Sequence, residues 1–303
     1  MIVRDKSNAI SLLFAWQGTI LPRVLPALMV VIFISALLVY LSSQHFLEIP
    51  AVPAIGFTIF GIILSIFLSF RNNACYDRWW EGRKLWGALI ANSRHISRDS
   101  HLLPDAQRKK MMYRVMFFSS LLKDRLRQQN SFFESSEKHA ELNVEVFEDL
   151  KQNINASQYI LESMQKDLVL SLRNGELTDI LYSTLNQHIV ALGDIQAGCD
   201  RIVSTPLPFA YSVLLHRTVY CFCLILPFSL EATLGIWTPV LVGLIAYLFL
   251  GFDALSTQLE EPFGLQENDL PLDSIVRLIE REMLSSLGED LPPAVQIVKG
   301  NLS

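Results

Sequence analysis

"RNNACYDRWWEGRKLWG", residues 71–87, packs four cations, two carboxylates and three tryptophans directly behind an uncharged apolar run. A soluble core has no use for that order of residues. A membrane–water boundary does, because indole rings settle at headgroup level and Arg and Lys collect on the cytoplasmic side. The run in front, Ala51–Phe70, carries no charge, and about 20 apolar residues suffice for an α-helix to cross a bilayer. Val24–Leu41 is a second uncharged run, and Thr218–Leu230 and Ala232–Phe252 form a C-terminal pair. The expectation is an all-α membrane protein with four transmembrane helices. His216 and Arg217 shorten the third run, which puts its entry into the membrane beside Arg217 rather than deeper.

Composition agrees with a mixed architecture. Of 303 residues, 51% are hydrophobic and 18% charged, too apolar for a typical soluble enzyme and too charged for membrane spans alone. A net charge of −5 argues against nucleic acid as a partner, since phosphate binding needs a basic field. The four cysteines, at 75, 199, 221 and 223, make neither a disulfide framework nor a zinc pattern, and two of them lie in an apolar run. The N-terminus lacks the layout of a cleavable signal peptide.

Short loops set the direction. "SSQHFLEIP" (42–50) and the surroundings of Glu231 hold no Lys or Arg, whereas Arg4, Lys6, Arg23, Arg71, Arg78, Arg83, Lys84 and Arg277 flank the opposite ends. The positive-inside rule puts both termini and the long middle segment in the cytoplasm, with the protein in the cell (inner) membrane. Trp79, Trp80 and Trp86, with Arg78 beside them, then read as an inner-face belt. The chain divides into a cytoplasmic N-terminal segment (1–23), two transmembrane helices (24–72) and a helical cytoplasmic domain (73–206). The last two transmembrane helices (207–255) and a cytoplasmic tail (256–303) follow. In the middle segment, 104–126 and 143–173 show apolar residues every three or four positions, and Asp105 and Thr178 suit helix N-caps. The sequon at Asn155 falls on the cytoplasmic side and reads as accidental. Turn-rich 256–303 surrounds a short helix near Ser274–Leu287.

No catalytic arrangement emerges. The six histidines are scattered, and His95 and His101 lie on different helix faces. Glu260, Glu261, Glu267, Asp269 and Asp273 cluster in sequence without EF-hand spacing and read as a solvated acidic tail, with metal binding the sharper alternative. An enzyme is not expected, nor any cofactor.

Three segments together resemble the bestrophin family in its bacterial branch: "RNNACYDRWWEGRKLWG", "TPLPFAYSVLLHRTVYCFCLILPF" (205–228) and "EEPFGLQENDLPLDSI" (260–275). Their order and relation to four spans match along nearly the whole chain. The resemblance implies a homopentameric ion channel with a single axial pore, passing small monovalent ions, its neck lined by the second span and continued inward by the helical domain. Ile62, Ile66 and Phe70 recur at i, i+4 and i+8 on one face of that span and suit an apolar neck, although lipid or core would suit such a stripe equally. Ser65 and Ser69 fall on a neighbouring face. The resemblance also implies an apolar restriction at the cytoplasmic exit, which falls near Ile180. The acidic run by which animal members clasp calcium is broken here by "LQENDLPLD", so calcium activation is not carried over. Carboxylates without nearby cations, Glu48 and Glu231 in the outer loops and Asp179 before Ile180, would become rings under fivefold symmetry and favour cations such as sodium over chloride. The alternative is a membrane scaffold or sensor with a helical docking domain and no conduction. A secondary transporter would show internal repeats, and none is present.

Overall fold

The structure of the protein is a computed structural model that describes residues 15–16, 18–44, 53–131, 149–150 and 152–296. Among the described residues there are helices and turns but no strand. The α-helices are α1 (Leu21–Ser43), α2 (Ala54–Asp99), α3 (Asp105–Arg127), α4 (Ala156–Arg173), α5 (Asp179–Ser204), α6 (Phe209–Leu234), α7 (Thr238–Glu260) and α8 (Leu272–Leu287). Two compact units result. Among the described residues, one holds those up to Trp79 together with Pro206–Pro262, and the other holds those of Trp80–Thr205 together with those from Phe263 onward. Helix α2, 46 residues in one uninterrupted piece, contributes to both. At 1.5 Å per residue it is roughly 70 Å long, about twice the hydrocarbon thickness of a bilayer, so a membrane can take only part of it.

The apolar unit is built from α1, the first half of α2, α6 and α7. Leu28 and Val31 of α1, Leu64 and Leu68 of α2, Val219, Phe222 and Leu226 of α6, and Val242, Ala246 and Phe249 of α7 form one buried cluster. Close approach is made possible by small residues. A Cβ at Gly61 would sit 3.3 Å from the Phe222 ring, and one at Gly243 would sit 3.1 Å from Ile32. Helix α6 ends at Gly235, whose φ of 48° suits glycine best, and α7 restarts after one 3₁₀ turn with a proline in its first turn. Helix α6 begins at Phe209, ahead of the uncharged run that starts at Thr218, because the "PLP" before it sets the start and His216 and Arg217 continue the helical run. Arg217 is exposed on that helix.

The second unit packs α3, α4, α5, α8 and the C-terminal half of α2 around Leu89, Ile96, Met112, Phe118, Leu122, Met164, Leu185 and Ile279. Thr178 is the N-cap of α5 as expected, its Oγ1 accepting from the Leu181 N–H at 3.3 Å. Asp105 is not a cap: Pro104 occupies that position and Asp105 sits in the first turn of α3, where its charge still suits the macrodipole. The helix expected over 143–173 is interrupted: 149, 150 and 152 are helical, 153–155 are not, and α4 starts at Ala156; residues 143–148 and 151 lie outside the described residues. Asn155 stops it from extending back. Its side chain accepts from the Gln158 N–H at 3.2 Å, while its own N–H donates to Asn153 Oδ1 at 2.9 Å, local bonds that compete with helix.

The C-terminal segment is not a solvated tail. Helix α8 lies on α3, where Asp273 accepts from Lys123 at 2.9 Å and from Arg127 at 2.5 Å, and Arg127 also donates to the Phe263 carbonyl. Burial pushes the Asp273 carboxyl up, but Lys123 and Arg127 together outweigh it and hold the group below its ordinary value of 3.8. Asp273→Asn takes the shared carboxylate from two nearly buried cations, leaving Lys123 with Asp124 at 3.4 Å and Arg127 with backbone carbonyls alone. Breaking a fully buried pair costs about 3–5 kcal/mol, and since Asp273 is itself one-third exposed, about 2 kcal/mol is expected here. Because the folded carboxyl is depressed, its contribution is complete at neutral pH and disappears as the pH falls through that lowered value. Thermal melts in detergent should therefore show the variant less stable at pH 7, with the gap to the natural protein closing in acid.

Candidate functional site

Along the first half of α2 one narrow face is buried by the other described residues. Leu64, Leu68, Arg71 and Cys75 are buried at helical spacing, Leu64 and Leu68 only 2% and 3% exposed. At roughly 100° per residue, Ile66 lies about 160° around the helix from both leucines. Ile62, Ile66 and Phe70 accordingly point away from the chain's own packing, at 56%, 48% and 61% exposure. Ser65 beside them donates to the Gly61 carbonyl at 2.7 Å, within its own helix. The stripe is a free apolar face and not part of the subunit core.

The covered face ends in a polar knot. Arg71 Nη1 donates to Asp253 Oδ1 at 2.5 Å and Arg71 Nη2 to Thr257 Oγ1 at 3.3 Å, with Glu260 3.8 Å away. Both Arg71 and Asp253 are buried. The other oxygen of Asp253 accepts from His216 Nδ1 at 2.6 Å, and the Glu260 carboxylate accepts the Leu207 N–H at 3.1 Å. One step further along α2, Arg78 Nε donates to the Glu260 backbone carbonyl at 3.2 Å, at the open C-terminus of α7. The knot thus ties α2, α6 and α7 together at one end of the apolar unit. Sequence reading placed Arg71 and Arg78 only as boundary cations and missed this pairing. Its signal was present: Arg71 directly follows the uncharged run ending at Phe70, and Asp253 directly follows the run ending at Phe252.

The other sequence-selected residues fall as follows. Trp80 is exposed and Trp79 half-buried, as a boundary position allows, with Trp79 stacked on Tyr76 at 6.2 Å. Trp86 contradicts the belt reading. It is wholly buried in the second unit, because the helix continues past the boundary and turns that indole into its core. Asp179 and Ile180 open α5 and both are exposed, Ile180 at 77%. Glu231 accepts a 2.6 Å hydrogen bond from Ser42 Oγ, joining the ends of α6 and α1. Glu48 lies outside the described residues. The acidic cluster does not converge. Glu260 serves Arg71, Asp273 serves Lys123 and Arg127, Asp269 is buried accepting the Gln266 N–H, and Glu261 is exposed. Among the described residues no three His, Cys, Asp or Glu side chains are grouped to hold a metal ion.

An all-helical chain with apolar helices long enough to cross a membrane defines a class of integral membrane protein. The model of the bacterial and fungal bestrophin proteins matches residues 1–285, and the chain belongs to that family. It is 38% identical over 294 residues to a voltage-dependent anion channel-forming protein of Mesorhizobium japonicum, covering 96% of this chain and 94% of that one. It is 39% identical over 300 residues to the voltage-dependent anion channel-forming protein YneE of Salmonella typhi, covering 98% and 97%. A crystal structure of a bacterial bestrophin homologue from Klebsiella pneumoniae superposes with a TM-score of 0.81 at 32% identity, over 88% of this chain and 99% of that one. The family is one of membrane channels and not of enzymes.

Removing one member of the knot should be costly. Asp253→Asn leaves the buried Arg71 with only the longer contact to Glu260 at 3.8 Å, and about 2 kcal/mol of stability should be lost. The pair of changes Arg71→Met with Asp253→Leu, which removes both charges, should recover most of it. Thermal unfolding in detergent, followed by intrinsic fluorescence, reads both effects.

Proposed function

We propose that five copies of the chain surround a single axial pore through which small monovalent ions pass passively, with Ile62, Ile66 and Phe70 forming its apolar neck. The observation that supports this is the free face of α2. Three large apolar side chains lie opposite the buried face of a helix that the family shares. An apolar ring narrow enough to exclude water closes the path by dewetting and opens when wetted. A second apolar restriction at Ile180 belongs to the same reading, as do a cytoplasmic location for both termini and an inner-membrane setting. No cofactor enters it, and the dispersed acids give calcium no clasp.

Truncating the neck tests the assignment. Ile66→Ala, and more weakly Ile62→Ala or Phe70→Ala, removes volume from every subunit at once and should raise ion flux from proteoliposomes. Unchanged flux through folded, correctly assembled variants would take this face out of the pore.

The same reading gives the pore a preference for sodium over chloride, carried by rings of Asp179, Glu231 and Glu48. The Mesorhizobium and Salmonella relatives carry the word anion in their names, so the reversal potential in an asymmetric NaCl gradient decides. A cation-side potential is expected, and Asp179→Asn should move it toward the anion side, most at low ionic strength where the Debye length is long. If Asp179 only supports the start of α5 through the helix macrodipole, the substitution lowers stability and leaves the potential where it was. An anion-selective natural channel would defeat the cation preference.

A further inference from the structure

The free face of α2 does not stop at Phe70. Continuing the helix by 3.6 residues per turn from Ile66, the next positions on the same face are Asn73 and Asp77, each within about 20° of Ile66 around the axis. Both are exposed. Neither forms a hydrogen bond or ion pair with any described residue, whereas Asp253, Asp273, Asp99, Asp167 and Asp200 are each matched to a cation or histidine. The cations nearest in sequence are committed elsewhere: Arg71 turns to the covered face and Asp253, and Arg78 donates to the Glu260 carbonyl. The stripe therefore changes chemistry along its length, from three large apolar groups to an amide and then an unpaired carboxylate.

We infer that Asp77 is a selectivity-determining residue of the conduction path, a carboxylate ring about 10 Å beyond Phe70 where the dry neck gives way to water. The inference rests on the pore reading of the free face. A carboxylate left without a partner is tolerable only where water reaches it, so Asp77 marks where the free face of α2 meets water. Five such groups around one axis lower the energy of a cation and raise that of an anion at the inner end of the neck. Asn73, between Phe70 and Asp77, offers the first polar contact to an ion leaving the neck.

The test compares the natural protein with Asp77→Asn and Asp77→Lys in planar bilayers, with reversal potentials read in asymmetric NaCl at low and high ionic strength. Glu282→Gln, an acid of α8 paired with Arg94 at 2.7 Å and not on α2, serves as the control. Asp77→Asn should shift the sodium-to-chloride permeability ratio toward chloride by roughly threefold to tenfold, and Asp77→Lys should shift it further. Both effects should shrink at high salt, and Glu282→Gln should leave the ratio unchanged. The expected shift has the same direction whichever ion the natural channel prefers. An unchanged ratio in both Asp77 variants, with Ile66→Ala still raising flux, would overturn the role of Asp77 and leave the neck intact. An unchanged ratio with Ile66→Ala also silent would overturn the pore reading itself. To separate loss of selectivity from loss of fold, Asp77→Cys should admit a charged, membrane-impermeant thiol reagent whose attachment alters the current. The natural protein, whose Cys75 on the same helix is buried, sets the background.

Discussion

The anchoring of α2 by its narrow buried face is the constraint on which the rest depends. Leu64 and Leu68 pack into the cluster made with α6 and α7, and Arg71 extends that face into the ion pair with Asp253. A helix held on one side by apolar contacts alone can rotate at modest cost, because neighbouring apolar residues replace one another. A buried guanidinium cannot move without leaving Asp253 uncompensated, a penalty of several kcal/mol. Arg71 therefore fixes the rotation of α2 as well as its position. Every other residue on the helix inherits its direction from that choice, including Ile66 on the far side.

The knot also explains why so many polar groups gather at one end of an apolar unit. Helix α7 ends at Glu260, and its open carbonyls need donors. Arg78 supplies one directly. The Glu260 side chain turns back to the Leu207 N–H near the start of α6, so the same residue closes one helix and secures the entry to another. His216, unremarkable as a lone histidine in an apolar run, becomes the third member of the Asp253 site. These contacts satisfy groups that the membrane would otherwise leave costly, and they leave the opposite face of α2 free.

Much of this was legible in the sequence because it depends on local order. Uncharged runs locate the apolar helices, Thr178 marks the start of α5, and the apolar recurrence at 62, 66 and 70 marks a face. What was lost depends on distance or continuity. Arg71 and Asp253 are 182 positions apart, and nothing near either one names the other. Trp86 was misread since nothing in its neighbourhood signals that α2 continues unbroken to Asp99, carrying that indole from a boundary into a core. The apolar recurrence over 143–173 suggests one helix, yet two asparagine side chains bonding to nearby backbone break the helical run just before Ala156. Acid-rich 260–273 looked solvated because its cationic partners, Arg71, Lys123 and Arg127, come from far upstream.

The central claim is that the free face of α2 points toward a shared axis and not toward lipid. Distances between nitroxide labels, measured by double electron–electron resonance on the assembled protein, address it directly, with Cys221, exposed on α6, replaced by serine. Labels at position 66 should give two resolved separations, to adjacent and next-adjacent copies, both shorter than those from labels at Phe33 on the exposed face of α1. Separations from position 66 equal to or longer than those from position 33 would place Ile66 on the periphery and contradict the account.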